Sequence, residues 1–244
     1  MARLRVLTYN IHGGLGMDRR LDLARIAGVI AAADPDIVAL QEVDARRPRS
    51  GGVDQAAWIA QQLGMQVRFG PTIEAGDEAY GIATLTRLPI HESRQVCLPW
   101  READPRSEPR CALLTRIAWP VPERSVDMVN THLSVRFGER GDQVAKLIED
   151  LVHDEIDAPI VLAGDFNCTP WSRPYRTLRG QLRCAASPRS WPAALPVVPL
   201  DHILFRGSLR VVRSGVWRAA GTRTASDHAP VLAELEELAS EAAA

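Results

Sequence analysis

The sequence predicts an α/β fold built from two mixed β-sheets that face each other with helices outside, a four-layer α/β sandwich. Three observations carry this. Short apolar runs alternate with segments of helical spacing. The stretch from Tyr80 to Thr131 reads as four strands with no helix between them. The two halves also repeat one grammar: strands, a helix, then strands with acidic ends. A single open, doubly wound sheet is the alternative, and the antiparallel middle argues against it.

Residues 4–10 read as a strand, and Gly13, Gly14 and Gly16 mark the loop after it. Leu21, Ala24, Ile26, Ala27, Val29 and Ile30 recur at helical spacing until Asp34-Pro35 ends the helix. Ile37 to Leu40 is a buried strand with Gln41-Glu42 at its end, and a second helix from about Val53 to Leu63 stops at Gly64. Tyr80–Thr86, Ile90–Leu98, Cys111–Trp119 and Ser125–Thr131 follow as consecutive strands, whose mostly short links favour antiparallel neighbours. The longer link, Pro99 to Pro109, is rich in Arg, Glu and Pro. A helix from about Glu139 to His153 leads into the run Pro159 to Asn167. A short helix over Trp171–Leu178 and an irregular stretch over 180–198 come next. Leu200–Phe205, Leu209–Trp217 and Pro230–Leu235 complete the strands.

The chain has 244 residues and a formal net charge of -1, so it lacks the overall basic footprint of a nucleic-acid binder. A local Arg patch (Arg101, Arg106, Arg110) escapes such a count. Cys97, Cys111, Cys168 and Cys184 form no close Cys-x-x-Cys pair and are expected as buried free thiols. No apolar run is long enough to cross a bilayer and no leader precedes the first strand, so a cytoplasmic protein is expected.

The run Pro159-Ile-Val-Leu-Ala-Gly-Asp-Phe-Asn167 organises the rest. A buried strand ends abruptly in polar residues, and Gly164 allows a turn or a close approach. Asp165 and Asn167 share a side in an extended chain, where together they hold a water and a phosphoryl oxygen. Five more strand ends carry polar groups: Asn10 to His12, Gln41-Glu42, Asn130 to His132, Asp201-His202 and Ser226 to His228. Singly these are turn residues or satisfied histidines; together they suit metal-assisted phosphoester hydrolysis. Mg²⁺, with Mn²⁺ as a substitute, needs only one or two carboxylates, and Glu42 helped by Asn10 is the candidate. His132 and His228 suit transition-state stabilisation, Asp165 suits a water-activating base, and Asp201 suits a partner that keeps His228 charged.

The order Thr-Tyr-Asn-Ile-His-Gly-Gly, Gln-Glu-Val, Asn-Thr-His-Leu, Gly-Asp-Phe-Asn, Leu-Asp-His-Ile, Ser-Asp-His-Ala-Pro-Val resembles the endonuclease/exonuclease/phosphatase superfamily from Val6 to Val231. The resemblance implies the four-layer sandwich, a divalent metal and in-line attack of water on phosphorus. It implies Asn10 and Glu42 as metal ligands, with Asp227 a metal-side carboxylate. It implies His132 as a phosphate contact, Asp165 and Asn167 as the water- and phosphate-orienting pair, and Asp201 with His228 as a carboxylate–histidine pair. Arg110 matches the phosphate-binding arginine; an unliganded rim arginine is its alternative. Abasic-site endonucleases of the superfamily carry Asp where His12 stands, so the short form here is more similar to its bacterial metal-dependent hydrolases.

The expected activity is a Mg²⁺-dependent phosphodiesterase on a small-molecule or phospholipid-headgroup phosphoester, housed in residues 1–236, with 237–244 a flexible acidic, Ala-rich tail. The rivals are a DNA or RNA nuclease and a non-catalytic phosphate-binding protein. The sequence leaves the oligomeric state open. The cleft around 99–110 and 180–198 discriminates: a long basic groove fits nucleic acid, a closed pot a small phosphate, an apolar rim a lipid.

Overall fold

A computed structural model describes residues 3–119, 124–152 and 158–238. The chain runs β1 (Arg3–Asn10), α1 (Leu23–Ala33), β2 (Ile37–Ala45), α2 (Gln55–Leu63), β3 (Gln66–Ala75), β4 (Glu78–Thr86). It continues β5 (Ile90–Leu98), β6 (Arg110–Ala118), β7 (Ser125–His132), α3 (Phe137–Leu147), β8 (Ile160–Asp165), α4 (Arg173–Arg179). Last come β9 (Arg183–Ala186), β10 (Asp201–Arg206), β11 (Leu209–Val216) and β12 (Val231–Glu237). One sheet has the order β11-β12-β1-β2-β4-β3 and the other β5-β6-β7-β8-β10-β9. Each is mixed: β1–β2 and β7–β8 are parallel and their other pairs antiparallel.

Strand alternation decides what each face buries. Leu4, Val6, Ile37 and Ala39 from the first sheet meet Val126, Met128, Val161, Ala163, Ile203 and Phe205 from the second in one inter-sheet core. The intervening residues Leu7, Tyr9, Val38 and Leu40 face outward, under Ile26 and Ile30 of α1 and Ile59 of α2. Val129, Leu162 and Leu204 do the same under Val144 of α3 and Leu178 of α4. The four layers are therefore present as expected. The Asp22 side chain caps α1 and Asp54 caps α2, each accepting a backbone N–H of the first turn, and Gly64 in the left-handed region closes α2.

Several elements differ from their sequence reading. β2 does not end at Gln41-Glu42 but continues to Ala45. A bulge sets Gln41 and Glu42 against one residue of β4, because Leu40 pairs with Ala83 and Val43 with Gly81. Glu42 adopts φ 55° there, a costly conformation for a non-glycine residue. β3 is a further strand, with a weakly alternating, half-exposed edge sequence that gives little pattern to read. β4 and β5 are consecutive yet lie in different sheets, so the antiparallel run of one sheet begins only at β5. The stretch 180–198 contains β9. Cys97 is exposed and Cys184 half-buried, leaving Cys111 and Cys168 as the buried thiols; Cys97 sits on the edge strand β5, most of which faces solvent. Leu147 ends α3, one π-helical turn continues through Val152, and His153 lies outside the described residues. Of the expected tail, Glu237 is the last residue of β12, and 239–244 lie outside the described residues.

Candidate active site

The inward-facing stripe of each strand runs on into polar residues at one rim. On β1 the series 4, 6, 8, 10 ends in Asn10, and on β7 the series 126, 128, 130, 132 ends in His132. On β8 the series 161, 163, 165 ends in Asp165. β10 runs antiparallel to β8, so its first residue, Asp201, reaches the same rim as the last residue of β8. β12 is antiparallel to β1 in the same way, which brings Ser226 to His228, just before β12, to this rim. Ladder pairing sets His132, Asp165 and Asp201 side by side across β7, β8 and β10. Gly164 is required where β8 passes β7: a Cβ there would lie 1.9 Å from the Thr131 carbonyl oxygen.

Asp165 is the point of convergence. Its Oδ1 accepts from the Asn167 backbone N–H at 2.9 Å, and its Oδ2 accepts from Asn10 Nδ2 at 3.0 Å. His132 Nε2 and His228 Nε2 each lie 3.6 Å from the same Oδ2. Burial raises the Asp165 pKa to about 7, against the pull of the nearby His228 charge. His228 Nδ1 lies 2.8 Å from Asp201 Oδ2. Burial opposes its charged form, but the Asp201 and Asp165 carboxylates outweigh that and raise it to about 10. His132 is held well below its usual pKa, first by burial and then by the positive charges of Arg110 and His228. Its Nε2 lies 3.1 Å from Asn167 Nδ2, whose other contact is the Leu133 carbonyl at 3.0 Å. With the amide donating to both, neutral His132 carries its proton on Nδ1, and donation from Nε2 requires the other tautomer.

The expected metal ligands lie beside this cluster. Asn10 Nδ2 also donates to Glu42 Oε1 at 2.9 Å, and Asn10 Oδ1 accepts from the His12 backbone N–H at 3.0 Å. Asp227, partly exposed, has Oδ1 3.7 Å from His12 Nδ1. Glu42 and Asp227 offer the carboxylate oxygens that Mg²⁺ or Mn²⁺ takes, and the Asn10 carboxamide would add a third oxygen only if its amide turned over. Asp165, Asp201 and His228 also lie close enough to one another to hold a metal ion. The short Asp201–His228 hydrogen bond already occupies Nδ1 of that imidazole.

Arg110 begins β6, is buried, and pairs with Glu108 at 3.1 Å, while its buried Nε has no hydrogen-bond partner. It opens, with Glu42, His132, Asp165, Asn167 and His228, onto one cavity of about 660 Å³. The far wall was not anticipated from the sequence: buried Asp44 holds Arg49 through two hydrogen bonds of 2.8 and 2.9 Å, and Arg47 and Arg49 lie over the Tyr80 ring. The cluster Arg46-Arg47-Pro48-Arg49 was a signal for it, once β2 is extended to Ala45. Not every residue of the predicted polar ends reaches the cavity. Gln41 and Asn130 are fully buried between the sheets, with Gln41 Nε2 2.8 Å from Asn130 Oδ1 and Asn130 Nδ2 donating to the Leu40 and Ala83 carbonyls. His202, next to Asp201, points to the opposite face of the sheet, where its ring packs on Phe166 and Tyr175.

Comparison with known proteins bears on the fold and the family. The uncharacterized protein YbhP of Escherichia coli (strain K12) is 28% identical over 254 residues, covering 95% of each chain. The crystal structure of endonuclease/exonuclease/phosphatase from Beutenbergia cavernae DSM 12333 superposes with a TM-score of 0.81 at 24% identity, covering 97% of this chain and 72% of that one. The mannosyl-6-phosphatase Bt3783 of Bacteroides thetaiotaomicron VPI-5482 gives 0.74 at 19% identity, covering 96% and 99%. The model of the endonuclease/exonuclease/phosphatase family, whose members are generally metal-dependent phosphoester hydrolases, matches residues 7–228. With that match spanning most of the chain and both sheets in place, the protein belongs to the endonuclease/exonuclease/phosphatase family.

Proposed function

We propose that the protein is a divalent-metal-dependent phosphodiesterase acting on a small-molecule or phospholipid-headgroup phosphodiester. The observation that carries this is buried Asp165, with Asn10, Asn167, His132 and His228 converging on its two oxygens. Asp165 is the base that accepts a proton from the attacking water. A carboxylate near the operating pH suits that task better than an exposed one. His228, kept charged by Asp201, donates to a phosphoryl oxygen as charge builds there. The Arg110 guanidinium, which lines the same cavity from β6 of the sheet that carries His132 and Asp165, supplies a second donor. Asn167 orients phosphate and water. Glu42 and Asp227, with Asn10 after its amide turns, would hold Mg²⁺ or Mn²⁺, which would neutralise charge on the phosphoryl and leaving oxygens. The Bacteroides mannosyl-6-phosphatase has a similar fold, and its name is that of an enzyme acting on a monoester.

The test is hydrolysis of a soluble aryl phosphodiester across a Mg²⁺ and Mn²⁺ titration. Turnover is expected to need the metal, and Asp165→Asn to lower it by about 10²–10⁴-fold with the fold retained. Full activity in excess chelator, or wild-type turnover by folded Asp165→Asn, would overturn the reading. Absence of turnover with intact phosphate binding would favour the non-catalytic rival. Nucleic-acid binding is expected to be weak and salt-sensitive; tight binding to an abasic duplex at physiological salt would favour the nuclease.

A further inference from the structure

The exposed large apolar side chains are not scattered over the surface. Nine of the eleven among the described residues lie in loops and a helix start joined to the strand ends of the rim that carries the site, with Val212 and Leu238 the exceptions. Leu21 follows β1 and lines the cavity, as does Val135 after β7. Phe137 at the start of α3 is 73% exposed, Trp171 after β8 is 70% exposed, and Leu195 before β10 is 74% exposed. Trp191 stands beside Asp227, its Nε1 donating to Oδ2 at 3.4 Å.

These loops form one collar. Ala193 N–H donates to the Asp227 carbonyl at 2.7 Å, and Met17 N–H to the Thr224 carbonyl at 2.9 Å. Arg136 pairs with Asp104 at 2.8 Å, tying the 99–109 loop to the segment that carries Val135 and Phe137. Exposed arginines stand among the apolar residues: Arg19 and Arg20 beside Met17 and Leu21, Arg101 beside Trp100, and Arg189 beside Trp191. Apolar and aromatic side chains mixed with arginine are the composition of a surface that rests on the headgroup region of an anionic membrane.

We propose that this collar docks the open cavity mouth onto an anionic phospholipid bilayer. The placement deepens the phosphodiesterase reading, on which its substrate class rests, by pointing the site at headgroup phosphodiesters. Trp100, Phe137, Trp171 and Trp191 offer faces that suit a base or a headgroup region alike, but Met17, Leu21, Val135, Leu195 and Val197 offer no stacking face, so the collar as a whole fits lipid better than a single-stranded nucleic acid. A protein seated across the collar would close the mouth, whereas a bilayer presents its headgroups to it. No helix among the described residues is long and apolar enough to cross a membrane, so attachment is from one side through these side chains.

The test is cosedimentation of the full chain with mixed phosphatidylglycerol/phosphatidylcholine vesicles and with pure phosphatidylcholine vesicles, beside hydrolysis of a soluble aryl phosphodiester. Wild type is expected to sediment with the anionic vesicles and less with the neutral ones. Phe137→Ser, Trp171→Ser and Leu195→Ser, singly and combined, lie outside the proposed catalytic machinery and are expected to leave soluble turnover within about twofold. Each should weaken vesicle binding, the combined variant by at least about tenfold. Failure of wild type to sediment at low salt, or equal sedimentation of the folded combined variant, overturns the docking surface. So does wild-type binding to a single-stranded oligonucleotide that the same substitutions abolish. In each case the soluble assay still judges the phosphodiesterase reading. Vesicle binding without soluble or lipid hydrolysis would instead keep the surface and remove that reading.

Discussion

Asp201 and His228 show how one charge tunes another. The Asp201 carboxylate is buried and holds His228 Nδ1 at 2.8 Å. With Asp165 it lifts the imidazole to about 10, despite burial that works the other way. Donation by His228 requires its proton, and acceptance by Asp165 requires the loss of its own. Activity should therefore rise with pH as Asp165 deprotonates and fall with pH as His228 deprotonates. Asp201→Asn keeps the shape and removes the charge. Its alkaline limb should move to lower pH and its maximal turnover should drop, with a pH–rate profile as the measurement. A profile that superimposes on wild type would end the pairing. The sequence suggests the pair from two polar strand ends and from the family resemblance; that residues 27 positions apart meet is decided by strand pairing.

At the scale of the element, β10 divides one sequence motif between two jobs. Asp201 faces inward to the site and His202 outward. His202 Nε2 lies 2.8 Å from the Cys168 carbonyl, which can only accept, so Nε2 carries the proton and Nδ1 accepts from Ser187 Oγ at 2.6 Å. Burial holds this neutral imidazole down at about 4. Between about pH 6.5 and 4 the unfolded chain takes up a proton here that the folded chain refuses. This contribution to stability is complete above about 6.5 and falls with pH, by on the order of 3 kcal/mol at full effect. Urea midpoints across that range should decline more steeply for wild type than for His202→Gln; parallel slopes would remove the claim. The polar character of Asp201-His202 is plain in the sequence. Which of them faces the site follows from the register of β10 against β8.

Across the whole molecule, the two sheets are held by more than apolar packing. Asn130 donates to two carbonyls of the facing sheet and accepts from Gln41, all in full burial. Asn130→Ala leaves those groups unpaired and should cost about 2–4 kcal/mol, measured by denaturant unfolding. Because the clamped strands β7 and β2 carry His132 and Glu42 to the rim, the variant should also lose activity. A change below about 0.5 kcal/mol would refute the clamp, since surface substitutions remain in that range.

The sequence by itself determined the layered α/β class, because period-two and helical apolar patterns are local and survive without partners. It also determined the oxygen-rich chemistry of the strand ends, because those residues follow apolar runs within the same segments. Tertiary structure alone decided that β4 and β5 part company, that a bulge turns Glu42 out of the ladder, and that Gln41 and Asn130 bind sheet to sheet. It also decided that Asp44 and its arginines wall the cavity and that the exposed apolar side chains gather along the rim that carries the site. These depend on which distant strands pair and in what register, and a one-residue shift in register sends a side chain to the other face.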